Sequence, residues 1–148
     1  MKLILIAIII LTSSCKNQKS LAEADIKQDN ELTLLVQDSY FFTDTMETSI
    51  VRDEKTLKSF FSRVNRTRKP GIPLPKINFE EEIALVVCMG EQKTSAMPFL
   101  KLLKDDDQEI KIAIEMKNKS KKEDKVVSYP FCVYKMSISE NKIVFKLL

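Results

Sequence analysis

Apolar side chains recur with the period of a helix in one part of the chain and with the period of a strand in several others. The helical repeat places four apolar positions at i, i+3, i+4 and i+7, on one face of a predicted helix. These positions are Leu57, Phe60, Phe61 and Val64. Asp53 precedes them and is expected to cap the helix, because its carboxylate can accept from the open N–H groups of the first turn. We expect the aromatic stripe to be core.

Short apolar runs elsewhere predict strands. Residues 109–116 alternate strictly, with Ile110, Ile112 and Ile114 pointing inward. Residues 83–88 are continuously apolar, which is typical of a strand buried on both faces. The other predicted strands are residues 32–37, 48–52, 99–103, 131–136 and 142–148.

The links between the later strands are short. Residues 99–103 and 109–116 predict a hairpin, and residues 139–141 are expected to turn the next strand into the last one. One helix with about six or seven strands predicts the α+β class. We expect the amphipathic helix to pack on a mostly antiparallel sheet, which can curl into a partial barrel.

The first fifteen residues have the pattern of an export signal. Lys2 is followed by an apolar run at residues 3–11, then by Thr12-Ser13-Ser14 and Cys15. The run is much shorter than the roughly 20 residues that span a bilayer as a helix. Small residues before a cysteine resemble the lipobox of bacterial lipoproteins, although Leu11 lies four residues before Cys15 where that family usually has leucine three before. The resemblance implies cleavage before Cys15 and lipid, palmitate included, on its thiol and new amine.

Two other interpretations of this segment are an ordinary cleaved signal with Cys15 nearby by chance, and an uncleaved anchor. The lipoprotein interpretation divides the chain into a signal peptide at residues 1–14, a lipidated cysteine with a polar tether at residues 15–31, and one α+β domain at residues 32–148. A flexible tether of this length spans roughly 20–25 Å. We expect the protein in the cell envelope, attached to a bacterial membrane through Cys15, with the outer membrane favoured over the inner.

Composition excludes several classes of site. The 148-residue chain contains no histidine and only two glycines. A Ser-His-Asp or Cys-His site therefore cannot form within this chain, and a glycine-rich phosphate loop cannot either. The net charge of +3 is spread along the chain, which argues against a nucleic-acid partner. We expect no cofactor, no metal and no enzymatic activity.

Two acidic runs are further candidate sites. Glu80, Glu81 and Glu82 could supply the carboxylates of a hydrolase, which is a remote alternative, but acids before a strand usually form a solvated edge. The acidic run at residues 105–107 lacks the glycine and the glutamate of an EF-hand loop, so a polar turn is favoured over a calcium site.

A proline-rich loop at residues 65–76 carries the densest basic cluster and several apolar side chains. Such a loop could dock a partner or simply cross between elements, and the sequence favours neither. The candidate partner-binding residues are Arg66, Arg68, Lys69, Ile72 and Leu74.

Two cysteines remain if Cys15 is lipidated. Cys88 and Cys132 would lie outside the cytoplasm, where disulfides persist. Both fall inside predicted strands, and a disulfide requires Cα atoms within about 7 Å and converging side chains. Free buried thiols are therefore favoured over a Cys88–Cys132 disulfide.

Four short motifs follow one another between residues 50 and 145. They are Ile50-Val51-Arg52-Asp53 before the helix, Ile77-Asn78-Phe79 before the buried strand, Gly90-Glu91-Gln92-Lys93-Thr94 after it, and Pro130-Phe131 at a late strand. Their order resembles the C-terminal domain of the PrcB-type protease complex subunits, which are small bacterial lipoproteins associated with a secreted protease. Where that family usually shows Thr-Gly-Gly-Tyr, this chain continues from Thr94 into Ser95-Ala96-Met97. The resemblance implies a non-catalytic, partner-binding role.

These observations predict a membrane-anchored envelope lipoprotein that acts as a non-catalytic protein-binding or accessory module, for a protease complex if the resemblance holds. Its partner is expected to be another envelope protein. The alternative is a lipoprotein that inhibits a hydrolase such as a protease or a lysozyme.

Overall fold

The computed structural model describes residues 31–105, 108–118 and 126–148, and within them the chain is α+β with one α-helix and seven strands. The predicted signal peptide, Cys15 and the tether up to residue 30 lie outside the described residues, as do parts of the two charged turns near residues 106 and 119–125. The elements in chain order are β1 Thr33–Asp38, β2 Glu47–Val51, α1 Glu54–Val64, a 3₁₀ turn Asn65–Thr67, β3 Glu82–Cys88, β4 Met97–Asp105, β5 Glu109–Lys117, β6 Phe131–Ser137 and β7 Lys142–Leu147.

The strands form two sheets. The larger sheet has the order β1-β6-β3-β2 and is antiparallel throughout. The smaller sheet has the order β4-β5-β7, with β4 antiparallel and β7 parallel to β5. The predicted α+β class, with a helix on mostly antiparallel strands, is confirmed. The described strands form two separate sheets and no closed barrel.

The expected hairpin between β6 and β7 is wrong. β7 instead crosses to the smaller sheet, where Lys142 lies opposite Glu109 and Leu147 opposite Ile114. The reason is that β6 already pairs with β1 on one side and β3 on the other, so neither of its edges is open. β5 pairs with β4 along one edge, and β7 pairs with its other edge.

The larger sheet is the middle layer of the domain. One face packs on the smaller sheet through Ile83, Leu85 and Val87, whose partners include Ile110, Ile112 and Ile114. The other face packs on α1 and the proline-rich loop through Ala84 and Val86. This two-sided burial explains the continuous apolar run of β3 and confirms its predicted environment.

Helix α1 begins where the sequence predicts. The Asp53 carboxylate accepts from the Thr56 backbone N–H at 2.7 Å and from the Thr56 hydroxyl at 2.7 Å. These hydrogen bonds lower the pKa of Asp53 below its ordinary value. Leu57 and Phe61 are buried against the larger sheet, so the apolar stripe is core as expected.

The Asp53 cap predicts an acid-sensitive contribution to stability. Because its folded-state pKa is lowered, the contribution is fully present above the unfolded value of about 4 and is lost as pH falls through the folded-state value. Asp53→Asn keeps a capping oxygen without titrating there. We expect wild type to be the more stable protein at pH 7 and the difference in urea midpoint to shrink by pH 3. A difference that stays constant between these pH values would contradict this, and Glu140→Gln at an exposed site is the control.

Candidate functional site

Strand direction gathers four connecting segments at one end of the larger sheet. Because its strands alternate in direction, the segments after β1, before β6, after β3 and before β2 meet there. Backbone bonds join them, from Phe41 N to the Tyr129 carbonyl at 2.8 Å and from Met89 N to the Pro130 carbonyl at 2.9 Å. We call this the aromatic end. The start of β1, where the predicted tether reaches the domain, lies at the opposite end, the tether end.

Three aromatic side chains group at the surface of the aromatic end. Tyr40 and Phe42 are 51% and 57% exposed, and Tyr129 is half-buried between them. Ring centroids of Tyr40 and Phe42 lie 5.8 Å and 4.9 Å from that of Tyr129. We call these three residues the aromatic triad. Clustered exposed aromatic rings are typical of protein interaction surfaces.

Hydrogen bonds fix the third ring of the triad. The Tyr129 hydroxyl donates to the Glu91 carboxylate at 3.1 Å, and its backbone N–H donates to the Ser39 carbonyl at 3.0 Å. Donation to Glu91 raises the pKa of Tyr129 above its ordinary value. The fold therefore holds Tyr129 in place before any partner arrives.

Gly90 permits the close approach of two segments of this end. Its φ is +69°, in the left-handed region that glycine adopts without strain. A Cβ at this position would lie 2.9 Å from the carbonyl carbon of Thr45. The segment after β3 can therefore pass directly beside the segment before β2 only with glycine here.

Arg68, a predicted partner-binding residue, is used inside the domain. Its guanidinium donates to both carboxylate oxygens of Asp38, at 3.1 Å and 2.5 Å, and to the backbone carbonyl of Tyr40. Its side chain is only 20% exposed. The bidentate pair ties the proline-rich loop to the end of β1 and holds the backbone of Tyr40 in place.

Removing the Arg68–Asp38 ion pair, which we call the clamp, is expected to lower the free energy of unfolding. Arg68→Ala leaves the Asp38 carboxylate, 29% exposed, without its cation, and we expect the free energy of unfolding to fall by about 1–3 kcal/mol, between exposed and fully buried pairs. Urea unfolding at pH 7 measures this. Lys69→Ala, at the exposed neighbouring position, should stay within about 0.5 kcal/mol of wild type. Equal effects of the two substitutions would show that the pair is not a clamp.

The remaining residues of the predicted binding loop separate into two groups. Arg66 and Lys69 are exposed. Ile72 and Leu74 are half-buried against the helix-side core. The Asn65 side chain fixes this part of the loop, accepting from Ile72 N at 2.7 Å and donating to its carbonyl at 2.8 Å. The five candidates do not form one continuous surface.

A cleft separates the segment after β1 from the end of α1. Tyr40, Phe41 and Phe42 line one side, and its volume is about 290 Å³. The other side is formed by Arg63, Val64, Arg66 and Thr67. The Arg63 guanidinium carbon lies 5.1 Å from the centroid of the buried Phe41 ring, a cation–π contact. We call this the arginine cleft.

Arg66 is among the binding residues predicted from the sequence, whereas the cleft position of Arg63 and the three residues of the triad are not. The run Tyr40-Phe41-Phe42 follows the first predicted strand, and its aromatic residues favour an extension of that strand over a surface cluster. The signal for a surface role was the polar stretch that follows at residues 43–45. Tyr129 carried no local signal, since it is placed by pairing with residues about 90 positions earlier.

The predicted glutamates lie at the tether end, far from the triad. The Lys135 ammonium donates to Glu82 at 2.6 Å and lowers the pKa of that carboxyl. Asn78 contacts Glu81 at 3.1 Å and Glu82 at 3.3 Å. A general acid requires a raised pKa, and Glu82 has the opposite shift. Glu81 and Glu82 thus take part in a turn with Asn78, and Glu82 forms an ion pair with Lys135.

Residues 31–105, 108–118 and 126–148, which the structure describes, contain no cluster of three side chains suited to holding a metal ion. Nor do they contain a helix with the length and apolar character needed to cross a membrane.

The two cysteines lie on neighbouring strands but on opposite faces of the larger sheet. Cys88 packs with the helix-side core and Cys132 with the core between the sheets, and both thiols are free. Their side chains diverge across the sheet, which a disulfide does not allow. Burial raises the pKa of Cys88 to about 12 and raises that of Cys132 also.

Both thiols are expected to be unreactive in the folded protein. Burial and a raised pKa leave almost no thiolate at pH 8, and thiolate is the reactive form. Ellman's reagent should therefore label neither Cys88 nor Cys132 in native protein and both in guanidinium chloride without reductant. Labelling of either thiol before unfolding, or of neither afterwards, would contradict this.

Comparison of the chain with protein-family models, with curated proteins and with solved structures found no match in any of the three. The resemblance to the PrcB-type subunits therefore stays a prediction based on motif order.

Proposed function

We propose that this protein is a non-catalytic envelope lipoprotein, anchored through Cys15, that binds another envelope protein through its aromatic end. The observation that carries the proposal is the aromatic triad at the surface, in which hydrogen bonds fix Tyr129 and in which Tyr40 and Phe42 are more than half exposed. Tyrosine and phenylalanine are enriched in the core of protein interfaces, because they bury much area at little cost in side-chain entropy. The motif order that resembles PrcB-type subunits supports an accessory role in a protease complex.

Chain direction supports a protein partner beyond the membrane surface. The tether would join the domain at the start of β1, and the triad follows the end of β1. Six strand residues at about 3.3 Å each separate the two ends by roughly 20 Å. A domain attached in this way presents the triad on the side away from its anchor.

Further exposed apolar side chains continue this surface. Val126 and Val127 are 47% and 59% exposed and lead directly into Ser128 and Tyr129. The Ser128 hydroxyl donates to the Thr94 carbonyl at 2.7 Å, which fixes the backbone next to Tyr129. A fixed apolar surface loses little conformational freedom on binding, which favours affinity.

Capture from membranes tests the proposal. Tagged full-length protein is cross-linked gently in cells, solubilised and purified, and co-purifying proteins are quantified by mass spectrometry. We expect one dominant envelope partner with wild type and at least about a tenfold loss with Phe42→Ser, because a central aromatic anchor contributes more than about 1.4 kcal/mol. Leu147→Ser, at a similarly exposed position on β7, is the matched control and should retain the partner.

Two results would overturn the proposal. One is no reproducible partner in repeated captures, and the other is equal recovery with Phe42→Ser and wild type. If the partner is a hydrolase, its activity with and without the purified protein distinguishes an accessory subunit from an inhibitor.

A further inference from the structure

We propose that the arginine cleft binds an acidic segment of the partner, with a carboxylate against Arg63 and Arg66 and an adjacent apolar side chain against Tyr40 and Phe42. This inference rests on the proposed function, since it names the chemistry that the aromatic end recognises.

The two guanidinium groups of the cleft are available for a ligand. Within residues 31–105, 108–118 and 126–148, neither Arg63 nor Arg66 forms a side-chain hydrogen bond or salt bridge. Arg68 shows the contrast, because both of its terminal guanidinium nitrogens donate to Asp38. A guanidinium carries five N–H donors in a fixed plane that matches a carboxylate, so two guanidinium groups that line one cleft favour an acidic ligand.

Two acids at this end of the domain already have partners within the fold. Asp38 is paired with Arg68, and Glu91 accepts from the Tyr129 hydroxyl. Asp44 is exposed and lies within 4 Å of no cation among the described residues. Glu47 lies near Arg63, since both shift the pKa of Cys88, but among the described residues no salt bridge joins a carboxylate to Arg63 or Arg66.

The floor of the cleft is rigid. Phe41 packs edge-on against Phe60 at 5.1 Å and against Phe131 at 5.9 Å between ring centroids. Arg63 rests on the outer side of the Phe41 ring. Phe41 and Arg63 are thus positioned in advance, which lowers the entropy cost of association.

The size of the cleft favours a peptide over a metabolite. Its volume of about 290 Å³ is at the lower limit of the roughly 300–1,000 Å³ of small-molecule sites. This space accommodates one or two side chains, and Tyr40 and Phe42 extend the surface outward from it. An anchor side chain of a partner fits this description, with flanking residues on the triad.

A fluorescein-labelled acidic peptide is the probe for the cleft. The peptide is a dodecamer that alternates glutamate with phenylalanine and leucine, and a second dodecamer has lysine in place of every glutamate. Binding to full-length protein in dodecyl maltoside micelles is followed by fluorescence anisotropy. We expect the acidic peptide to bind, the basic peptide not to bind, and the affinity to fall as NaCl rises from 50 to 500 mM, as screening requires.

Charge-matched variants locate the binding. Arg63→Gln/Arg66→Gln removes the two cleft charges, and Lys101→Gln/Lys146→Gln removes two exposed charges on the smaller sheet. We expect the first pair to raise the dissociation constant at least about tenfold and the second to change it less than about twofold. Circular dichroism and thermal unfolding confirm that both variants fold. No binding of the acidic peptide, or equal losses with the two variants, would overturn the inference.

A lipid headgroup is the competing occupant of a cleft with this chemistry. Water-soluble dihexanoyl phosphatidylglycerol, added below its micelle concentration to a sample held in dodecyl maltoside, should leave the labelled peptide bound. Displacement of the peptide by this lipid would assign the cleft to membranes and overturn the inference.

The failures of the two proposals are distinguishable. If Phe42→Ser loses the captured partner while Arg63→Gln/Arg66→Gln retains it, only the acidic-segment inference fails. If Phe42→Ser retains the partner, the proposed function fails whatever the peptide shows.

Discussion

Phe131→Ala is expected to lower the free energy of unfolding by about 3–5 kcal/mol, the range for removal of a fully buried phenylalanine side chain. Phe131 is 0% exposed at the start of β6 and packs against Phe41 and Phe60 at 5.9 Å and 5.8 Å between ring centroids. Alanine leaves a cavity between the larger sheet and α1. Domains of this size are stable by about 5–15 kcal/mol in total, so the loss is a large fraction.

The same substitution is expected to disturb the aromatic end. Phe131 follows Pro130 and Tyr129 in the chain, and Phe41, its contact, forms the floor of the arginine cleft. Urea unfolding monitored by circular dichroism measures the stability, with Leu147→Ala at an exposed site as the control. A loss below about 1 kcal/mol for Phe131→Ala would show that this side chain does not hold α1 on the sheet.

Cys15→Ser is expected to move the protein from the membrane fraction to the soluble fraction. In the proposed lipoprotein, acyl chains on Cys15 are the anchor, and each buried CH₂ group contributes about 0.8 kcal/mol. Two or more acyl chains hold a protein on a membrane durably. Without them, almost all of the protein should move from the membrane fraction to the soluble fraction. Fractionation by ultracentrifugation measures the distribution, and incorporation of labelled palmitate checks the lipid.

Cys88→Ala is the matched control for this experiment, because it removes a buried thiol of the domain and leaves Cys15 intact. It should stay with the membranes and keep the label. Membrane retention of Cys15→Ser after a carbonate wash would favour an uncleaved anchor over a lipoprotein.

Local patterns predicted the helix and most strands because their information is contained within a few residues. The Asp53 cap and the buried Leu57 and Phe61 follow from spacing alone, and so does the burial of residues 83–88. Strand pairing was predicted less well, because it depends on which sheet edges are already filled. β7 joined β5 since β6 had no open edge, which no window of sequence reveals.

The candidate site was only partly predictable for the same reason. Arg66 was recognised from its basic neighbours, whereas Arg68 turned inward to meet Asp38, 30 positions earlier in the chain. Tyr40 and Tyr129 meet only through the pairing of distant segments. The candidate site is thus a property of the topology, which brings together side chains that are distant in the sequence.

The central claim is that the aromatic end contacts another envelope protein, and site-specific photo-cross-linking in intact cells tests it most directly. Benzoylphenylalanine is placed at Phe42, where an aromatic side chain is already exposed, and separately at Lys101 on the smaller sheet. We expect one dominant protein adduct from position 42 and none from position 101. Equal adducts from both positions, or no protein adduct from position 42, would contradict it.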